Sequence, residues 1–458
     1  MKKYVDAIQG ETRIAGVLLH PTSLPSGILD ADAFRWLDFM AVAGLRLWQV
    51  LPLGVPQGNL SPYQCYSAFA MNPALLADST TEIDDQHFQQ WHQQESYWLD
   101  DYALFMALKQ QHSNVAWYDW EEPLKYRNTE ALQEFEENHS TEITAIYQQQ
   151  YQLYQRWQKI RDYATERHIY LFGDMPIFVA HDSADVWAHQ EYFLLNQNGQ
   201  PEVVAGVPPD YFSETGQRWG NPHFNWEIMQ ENNFDWWISR IKNHLQLFDL
   251  VRIDHFRGLE AVWLIDADCE TAEQGTWQKV PGDALLQSLK DEMGEISLVA
   301  EDLGIITPEV NALREKYHLP GMSVLQFSFD HFDNNPHKPK NITHQRIAYT
   351  GTHDNDTTVG WYQNLDEASQ QNILNHLGIY QNADTNQVCD TLIDITLQTK
   401  AQLAVIPLQD FLYLGAEARM NIPGTVDNNW QWCFQWNQIS DNLASKLHNR
   451  IERSGRLQ

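Results

Sequence analysis

Three acidic residues each follow a short apolar run that is typical of a buried β-strand. The runs Leu-Val-Arg-Ile and Leu-Val-Ala end immediately before Asp254 and Glu301, and a third run, which begins Ile-Ala-Tyr, leads to Asp354. Parallel α/β barrels build their active sites at the C-terminal ends of their strands. One such acid alone is more often a helix cap or a surface ion-pair partner, but three in one barrel favour a site. Two carboxylates that flank a sugar bond cleave glycosidic linkages, so these acids predict glycoside chemistry.

The apolar runs recur along the chain with the spacing of a (β/α)8 barrel, the TIM barrel. Most of them are followed by a helical pattern, as parallel strands require. We therefore predict an α/β protein with a single catalytic (β/α)8 TIM barrel over residues 1–458. Its predicted strands are residues 15–19, 45–51, 169–173, 250–253, 298–300, 323–327, 347–350 and 403–407.

Two connections between these strands are too long for one crossover helix. Residues 55–166, after the second strand, contain two stretches of helical periodicity and predict an inserted helical subdomain. Residues 175–247, after the third strand, are rich in loop signals and predict a lid. Both insertions leave from C-terminal strand ends, so both are expected to stand over the active-site mouth.

The composition favours a neutral substrate. Lys and Arg total 30 against 61 Asp and Glu, a formal charge of -31, so nucleic acid and anionic membrane surfaces would be repelled. The acidic residues are scattered along the chain, which favours solubility and not an interaction tail. Aromatic residues, which stack on sugars, make up 12% of the chain.

Cysteine usage and the N-terminus predict a cytoplasmic protein. Asp6 and Glu11 interrupt any signal-peptide core, and no segment reaches the ~18 continuous apolar residues of a membrane span. The cysteines are too few for a disulfide scaffold and too far apart for a CxxC site. They are Cys65, Cys269, Cys389 and Cys433.

Seven stretches of the chain occur in the same order in one enzyme family. They are residues 60–63, 173–177, 206–222, 252–258, 300–304, 351–358 and 419–425. On these stretches the chain resembles the 4-α-glucanotransferases of the amylomaltase or disproportionating-enzyme family, over nearly its whole length. The resemblance implies retaining transfer of α-1,4-glucan segments between maltooligosaccharide or glucan chains, without metal, nucleotide or organic cofactor. It does not set the oligomeric state, and a monomer is compatible with it.

The resemblance makes Asp254 the nucleophile, Glu301 the general acid and base, and Asp354 the residue that holds sugar hydroxyls and stabilises the transition state. Arg252 lies on the same strand face as Asp254 and could keep it ionised. Glu301 could keep its proton near neutral pH if it is desolvated beside an anionic Asp254. A retaining pair lies ~5 to 5.5 Å apart. Asp302 points to the opposite face from Glu301, so we predict a structural role for it.

Other residues of the same stretches are predicted to bind sugar. Trp219 lies in a predicted loop between two glycines, where stacking on a sugar and packing inside the protein are equally favoured. The resemblance favours an acceptor-side stacking platform at the tip of a glycine-hinged lid, with Asp210 and Gln217 as polar contacts. Tyr63 is expected to line the donor side of the active site. The remaining predicted substrate contacts are Ser61, Arg252, His353 and Asn421.

Three alternatives stay open beside this interpretation. His20, His255 and His353 also follow strand-like runs and could bind a metal, although no HxH or HExxH spacing is present. A retaining α-glucan hydrolase would use the same carboxylates and differ only in its products. A glycan-binding protein without activity would need the aromatic residues, but it would not need three carboxylates.

Overall fold

The computed structural model describes residues 12–77, 83–209, 213–379 and 384–457. Its strands are β1 (Ile14–Leu18), β2 (Leu47–Gln49), β3 (Tyr170–Met175), β4 (Val203–Val207), β5 (Gln217–Pro222), β6 (Leu250–Ile253), β7 (Ala261–Asp266), β8 (Thr276–Lys279), β9 (Leu298–Ala300), β10 (Gly321–Val324), β11 (Arg346–Tyr349) and β12 (Leu403–Pro407). Its α-helices are α1 (Ala31–Ala43), α2 (Asp85–Gln111), α3 (Glu122–Lys125), α4 (Thr129–Asn138), α5 (Ser140–Glu166), α6 (Ala184–Ala188), α7 (Trp226–Glu231), α8 (Asp235–Leu247), α9 (Gly282–Met293), α10 (Pro308–Lys316), α11 (Thr358–Gln363), α12 (Glu367–Leu377), α13 (Thr385–Gln398), α14 (Leu408–Phe411) and α15 (Leu443–Arg453). None of these helices is long and apolar enough to cross a membrane.

Eight strands form one parallel sheet in the order β10–β11–β12–β1–β2–β3–β6–β9. The predicted (β/α)8 TIM barrel is therefore confirmed, and each predicted strand overlaps an observed one. The sixth differs most: β10 ends at Val324, and Leu325–Phe327 form a 3-10 turn where the prediction continued the strand. Alternation along the strands separates two apolar clusters. Leu250 and Val299 pack in the cluster inside the barrel, whereas Val251 and Ala300 face the surrounding helices.

The two outer strands of this sheet, β9 and β10, meet at a seam that a side chain helps to close. The backbone N–H of Ala300 donates to the Pro320 carbonyl at 2.9 Å. One step further along, the Asp302 carboxylate accepts from the backbone N–H of Met322 at 2.7 Å. A side chain thus serves as the acceptor where a strand carbonyl would otherwise be needed.

Asp302 is 6% exposed and is also contacted by two buried guanidinium groups. Arg346 lies 3.1 Å from its Oδ1 and Arg314 lies 3.4 Å from its Oδ2. A Cβ at Gly321 would lie 2.4 Å from the same carboxylate, so the close approach requires glycine at that position. These contacts agree with the structural role predicted for Asp302.

Asp302→Asn is expected to lower the free energy of unfolding by about 3–5 kcal/mol, because it removes the buried negative charge between two buried cations. Glu315→Gln is the matched control: it removes the other carboxylate beside Arg314, but that side chain is 65% exposed. Its effect should stay within about 0.5 kcal/mol. Urea unfolding curves of both variants compare their stabilities. Equal midpoints would show that the Asp302 contacts at the seam do not stabilise the fold.

The first long connection, between β2 and β3, contains helices α2, α3, α4 and α5. The two helical stretches expected there lie inside the longer helices α2 and α5. The buried Lys109 of α2 pairs with Asp182, which follows β3, at 2.5 Å, and Trp117 donates to the His181 carbonyl at 2.7 Å. The helical segment is therefore tied to the chain just beyond a barrel strand.

The second long connection contains strands where the sequence predicts loops. Strands β4 and β5 join β7 and β8 in a four-stranded antiparallel sheet of order β5–β4–β7–β8. The prediction of a glycine-hinged lid with Trp219 at its tip is wrong in this respect, because Trp219 lies within β5. The glycines have a packing role: a Cβ at Gly206 would lie 2.2 Å from the Gln217 carbonyl oxygen, and Gly216 has a φ of +69°.

Candidate active site

Asp254 and Glu301 lie directly opposite each other at the ends of the neighbouring strands β6 and β9. The N–H of Glu301 donates to the Ile253 carbonyl, and the N–H of Phe256 donates to the Glu301 carbonyl, both at 3.1 Å. The Glu301 side chain is also held, because the backbone N–H of His255 donates to its Oε2 at 2.7 Å. Strand alternation turns both carboxylates towards the barrel axis, two residues beyond inward-facing positions.

Arg252 connects Asp254 to a second carboxylate that the prediction did not include. Its guanidinium donates to Asp254 Oδ1 at 2.7 Å and to Asp174 Oδ2 at 2.5 Å. The Tyr63 hydroxyl donates to the same oxygen of Asp174 at 2.7 Å. The side chains of Arg252 and Asp174 are 5% and 0% exposed, whereas Asp254 is 31% exposed. The buried network therefore holds Asp254 through Arg252 and leaves part of its carboxylate exposed to solvent.

Burial raises the pKa of both facing carboxyls by different amounts. The pKa of Asp254 rises to about 6, against the opposing effect of the Arg252 cation. The pKa of Glu301 rises to about 8, because burial and the negative charge of Asp254 outweigh Arg252. Between these values the dominant state has Asp254 ionised and Glu301 protonated. The predicted contact of Arg252 with Asp254 is present, but burial and not the cation decides the direction of the pKa shift.

Asp354 lies close enough to raise the pKa of Asp254 further and is itself fixed by neighbours. The Asn421 amide donates to its Oδ1 at 2.6 Å, and His353 Nε2 lies 3.3 Å from its Oδ2. Arg419 donates to its backbone carbonyl at 2.6 Å. Its side chain remains 44% exposed, so Asp354 is oriented but open to a ligand.

An aromatic group stands beside these acids. The ring of Tyr63 stacks on His353 with centroids 5.2 Å apart and planes 10° apart. Trp430 meets both rings at a tilt, at 5.8 and 5.9 Å. The Ser61 hydroxyl accepts from the Tyr63 backbone N–H at 3.3 Å and so shapes the turn that presents the ring. Burial lowers the pKa of His353, so its imidazole is neutral near pH 7.

Trp219 reaches the site from the antiparallel sheet. Its ring meets His255 edge-on at 4.9 Å, and its Nε1 donates to Gln217 Oε1 at 3.3 Å. His255 is also the residue whose backbone N–H holds Glu301, so Trp219 adjoins both carboxylate-bearing turns. Trp219 and Gln217 are partly exposed, and Asp210, the third residue predicted for this lid, lies outside the described residues.

Comparison with known proteins agrees with this geometry. A family model described as 4-alpha-glucanotransferase matches residues 19–82 and 77–438. The chain belongs to the 4-alpha-glucanotransferase family. The glucanotransferase is 42% identical to the enzymes of that name from Synechocystis sp. and Thermus thermophilus, with 97% of this chain and 98% and 99% of theirs covered. An amylomaltase from Streptococcus agalactiae, solved in complex with acarbose, superposes with a TM-score of 0.92 at 32% identity, covering 98% of this chain and 100% of that one. The protein is thus an enzyme that transfers glucan segments.

The glucanotransferase brings together most of the residues predicted for its site, and it adds two. Asp174 directly follows the predicted third strand, residues 169–173, and lies one residue before the end of β3, so the sequence contained a signal for it like that for Asp254. Trp430 carried no such signal, because its contacts with Tyr63 and His353 join distant parts of the chain. Of the residues described, no three His, Cys, Asp or Glu side chains form a group that could hold a metal ion.

Proposed function

We propose that this glucanotransferase acts on maltooligosaccharides and α-1,4-glucans through a covalent glycosyl intermediate on Asp254, with Glu301 as general acid and base. The facing pair of carboxylates with separated pKa values supports this proposal most directly. Retaining chemistry needs one carboxyl ionised and the other protonated in the same enzyme molecule, and the two burial environments favour that combination.

The proposed reaction has two steps at one sugar carbon. In the first, an oxygen of Asp254 attacks the anomeric carbon, the glycosidic bond breaks, and Glu301 gives its proton to the departing oxygen. In the second, the Glu301 carboxylate takes the proton of an acceptor hydroxyl, whose oxygen attacks the same carbon and releases Asp254. Each step inverts the configuration, so the product retains that of the donor.

Asp354 is proposed to bind hydroxyls of the sugar being transferred and to oppose the positive charge that develops on its ring. Its fixed orientation supports this role, since Asn421 and Arg419 hold it while nearly half of its side chain stays exposed. The neutral His353 can donate or accept a sugar hydrogen bond. Tyr63, whose pKa burial and Asp174 raise well above 10, stays protonated and presents its ring to the donor side.

Transfer by this enzyme should depend on pH as a bell-shaped curve. Asp254 must be ionised, so kcat/KM should fall as the pH drops below about 6, where its pKa lies. Glu301 must be protonated, so kcat/KM should fall again as the pH rises above about 8, where its pKa lies. The two apparent values belong to an interacting pair. A profile of kcat/KM for maltotriose that stayed flat well into the alkaline range would exclude Glu301 as the proton donor.

The acceptor must displace water at the glycosyl intermediate, and Trp219 is proposed to bind that acceptor. Its partly exposed indole contacts His255, which follows Asp254 and whose N–H holds Glu301, and an incoming glucose ring could stack there. Trp219→Ala should therefore raise the ratio of hydrolysis to transfer, by about three- to tenfold if one stacking contact is lost. The measurement is free reducing ends gained relative to chain-length redistribution from maltotriose. Trp219→Phe, which keeps a ring, is the control, and an unchanged ratio in both variants would leave Trp219 a packing residue.

Incubation with maltotriose and separation of the products tests the function itself. A transferase yields glucose together with maltopentaose and longer chains, whereas a hydrolase with the same carboxylates accumulates glucose and maltose. The family membership favours transfer. Products without any chain longer than the substrate would favour the hydrolase.

We also propose that the enzyme acts in the cytoplasm. All four cysteines are free thiols, and one of them, Cys433, is exposed, which suits a reducing compartment. Cell fractionation with immunodetection tests this location, and recovery of the enzyme outside the cytoplasmic fraction would contradict it.

A further inference from the structure

An exposed tryptophan lies on the outer strand of the four-stranded sheet. All four residues of β8 are exposed, and 41% of Trp277 remains accessible to solvent. β8 pairs on one side only, with β7, so it is an edge strand of that sheet. A tryptophan at such a position adds little to a core, and large exposed aromatic surface often marks a binding site.

The Trp277 ring is held by ordered neighbours. The guanidinium carbon of Arg257 lies 3.8 Å from the ring centroid. Trp263, directly opposite on β7, meets the ring at 5.2 Å with a 57° tilt, and its own Nε1 donates to the Ala272 carbonyl at 3.0 Å. A rigid ring loses little conformational entropy when a ligand stacks on it, so the exposed indole is preorganised.

One neighbour of the Trp277 ring, Arg257, lies in the turn after Asp254. Arg257 follows Asp254 by three residues, which bounds the separation of their Cα atoms to about 11 Å. The Arg257 guanidinium also donates to the carbonyl of Ile305 at 2.8 Å, four residues after Glu301. Ile305 is itself 54% exposed. The cation that holds the Trp277 ring therefore also joins the turns that follow the two catalytic acids.

We propose that Trp277 is an auxiliary glucan contact, at which a glucose ring of a long α-1,4-glucan stacks outside the part of the cleft where the reaction occurs. The inference rests on the proposed function and adds a preference for long chains. The C–H face of a glucose ring matches the negative face of an indole. A glucan is favoured over a protein partner because the exposed ring is a single side chain, held by a cation that joins the turns of the catalytic acids. Only a chain that spans both positions gains from the second contact, since that contact is then intramolecular.

Trp277→Leu tests this contact, because it keeps an apolar side chain and removes the flat ring. The expected result is an unchanged kcat/KM for maltotriose and a kcat/KM for long linear amylose that falls about three- to tenfold, the range for one lost aromatic contact. Trp277→Tyr should restore most of the loss. A matched control is Tyr126→Leu: Tyr126 is 45% exposed, also has a cation, Lys125, 5.5 Å from its ring, and donates its hydroxyl to the Gln197 carbonyl at 2.9 Å. Tyr126→Leu should leave kcat/KM unchanged for both maltotriose and amylose.

Equal losses on maltotriose and amylose would overturn the proposal, as would no loss on either. A binding measurement separates this inference from the proposed reaction. In an Asp254→Asn background, retardation of the protein in a gel that contains soluble long glucan should weaken when Trp277→Leu is added. A parent enzyme without transfer activity would refute the proposed function, whereas unchanged retardation would refute the auxiliary contact alone.

Discussion

Asp254→Asn is expected to reduce transfer from maltotriose by at least about 10⁴-fold, a loss of about 5.4 kcal/mol of transition-state stabilisation. The amide cannot form the glycosyl ester, so the reaction loses its two-step route. The fold should persist, because the side chain is 31% exposed and its ion-pair partner Arg252 keeps Asp174. Initial rates measure the loss of transfer activity, and thermal unfolding of the same preparations measures whether the fold persists. A variant with near-normal activity would remove Asp254 from the mechanism.

Glu301→Gln is expected to cause a comparable loss with natural donors, because a sugar alkoxide leaves poorly without a proton. A glycosyl fluoride separates the roles, since fluoride leaves without protonation. The variant should therefore form the intermediate from a maltosyl fluoride and then accumulate it, because no base activates the acceptor. If the rate of the first step fell equally with maltotriose and with the fluoride, Glu301 would not be the proton donor.

Arg252→Met is the third change with a large expected effect. It removes the cation between Asp174 and Asp254 and should cost about 3–5 kcal/mol of folding stability, as expected when a buried ion pair loses one partner. Arg252 lowers the pKa of Asp254 from what burial alone would produce. Without it the pKa of Asp254 rises further, so the acidic limb of the activity profile should move to higher pH and activity at neutral pH should fall.

Arg252→Lys is the matched control, since it keeps the charge but cannot bridge two carboxylates with a planar fork. Arg252→Lys should be more stable than Arg252→Met, and it should displace the acidic limb of the pH profile less. Denaturant unfolding together with kcat/KM against pH measures both effects. An Arg252→Met enzyme with the parent's acidic limb would show that the cation has no part in keeping Asp254 ionised.

The parts of the fold that place the catalytic pair follow directly from the sequence. Residues 250–253 and 298–300 are predicted as strands and are β6 and β9 with the same bounds. Their signal is strong because each strand is buried on both faces, which favours a mainly apolar run before the acid, interrupted in β6 by Arg252. Alternation also separates Glu301, which faces Arg252 and Asp254, from Asp302, which reaches the seam.

The antiparallel sheet could not be predicted in the same way. β5 and β8 have neither an apolar run nor alternation of apolar and polar residues, and β4 and β5 each contain a glycine, so the sequence does not mark these three as strands. Pairing of β4 with β7 joins residues about sixty positions apart, as in Val203 with Asp266, and supplies the order that local sequence lacks. The contact of Arg252 with Asp174, 78 positions away, is hidden for the same reason.

The proposed mechanism requires a covalent intermediate on Asp254, and mass spectrometry of Glu301→Gln enzyme treated with a maltosyl fluoride can detect it. We expect one maltosyl group to become attached per enzyme molecule and, after proteolysis under mild acid, to remain on the peptide that contains Asp254. Adding Asp254→Asn to the same variant should abolish the label. Fluoride release without any labelled peptide, or a label on a peptide that lacks Asp254, would contradict the account.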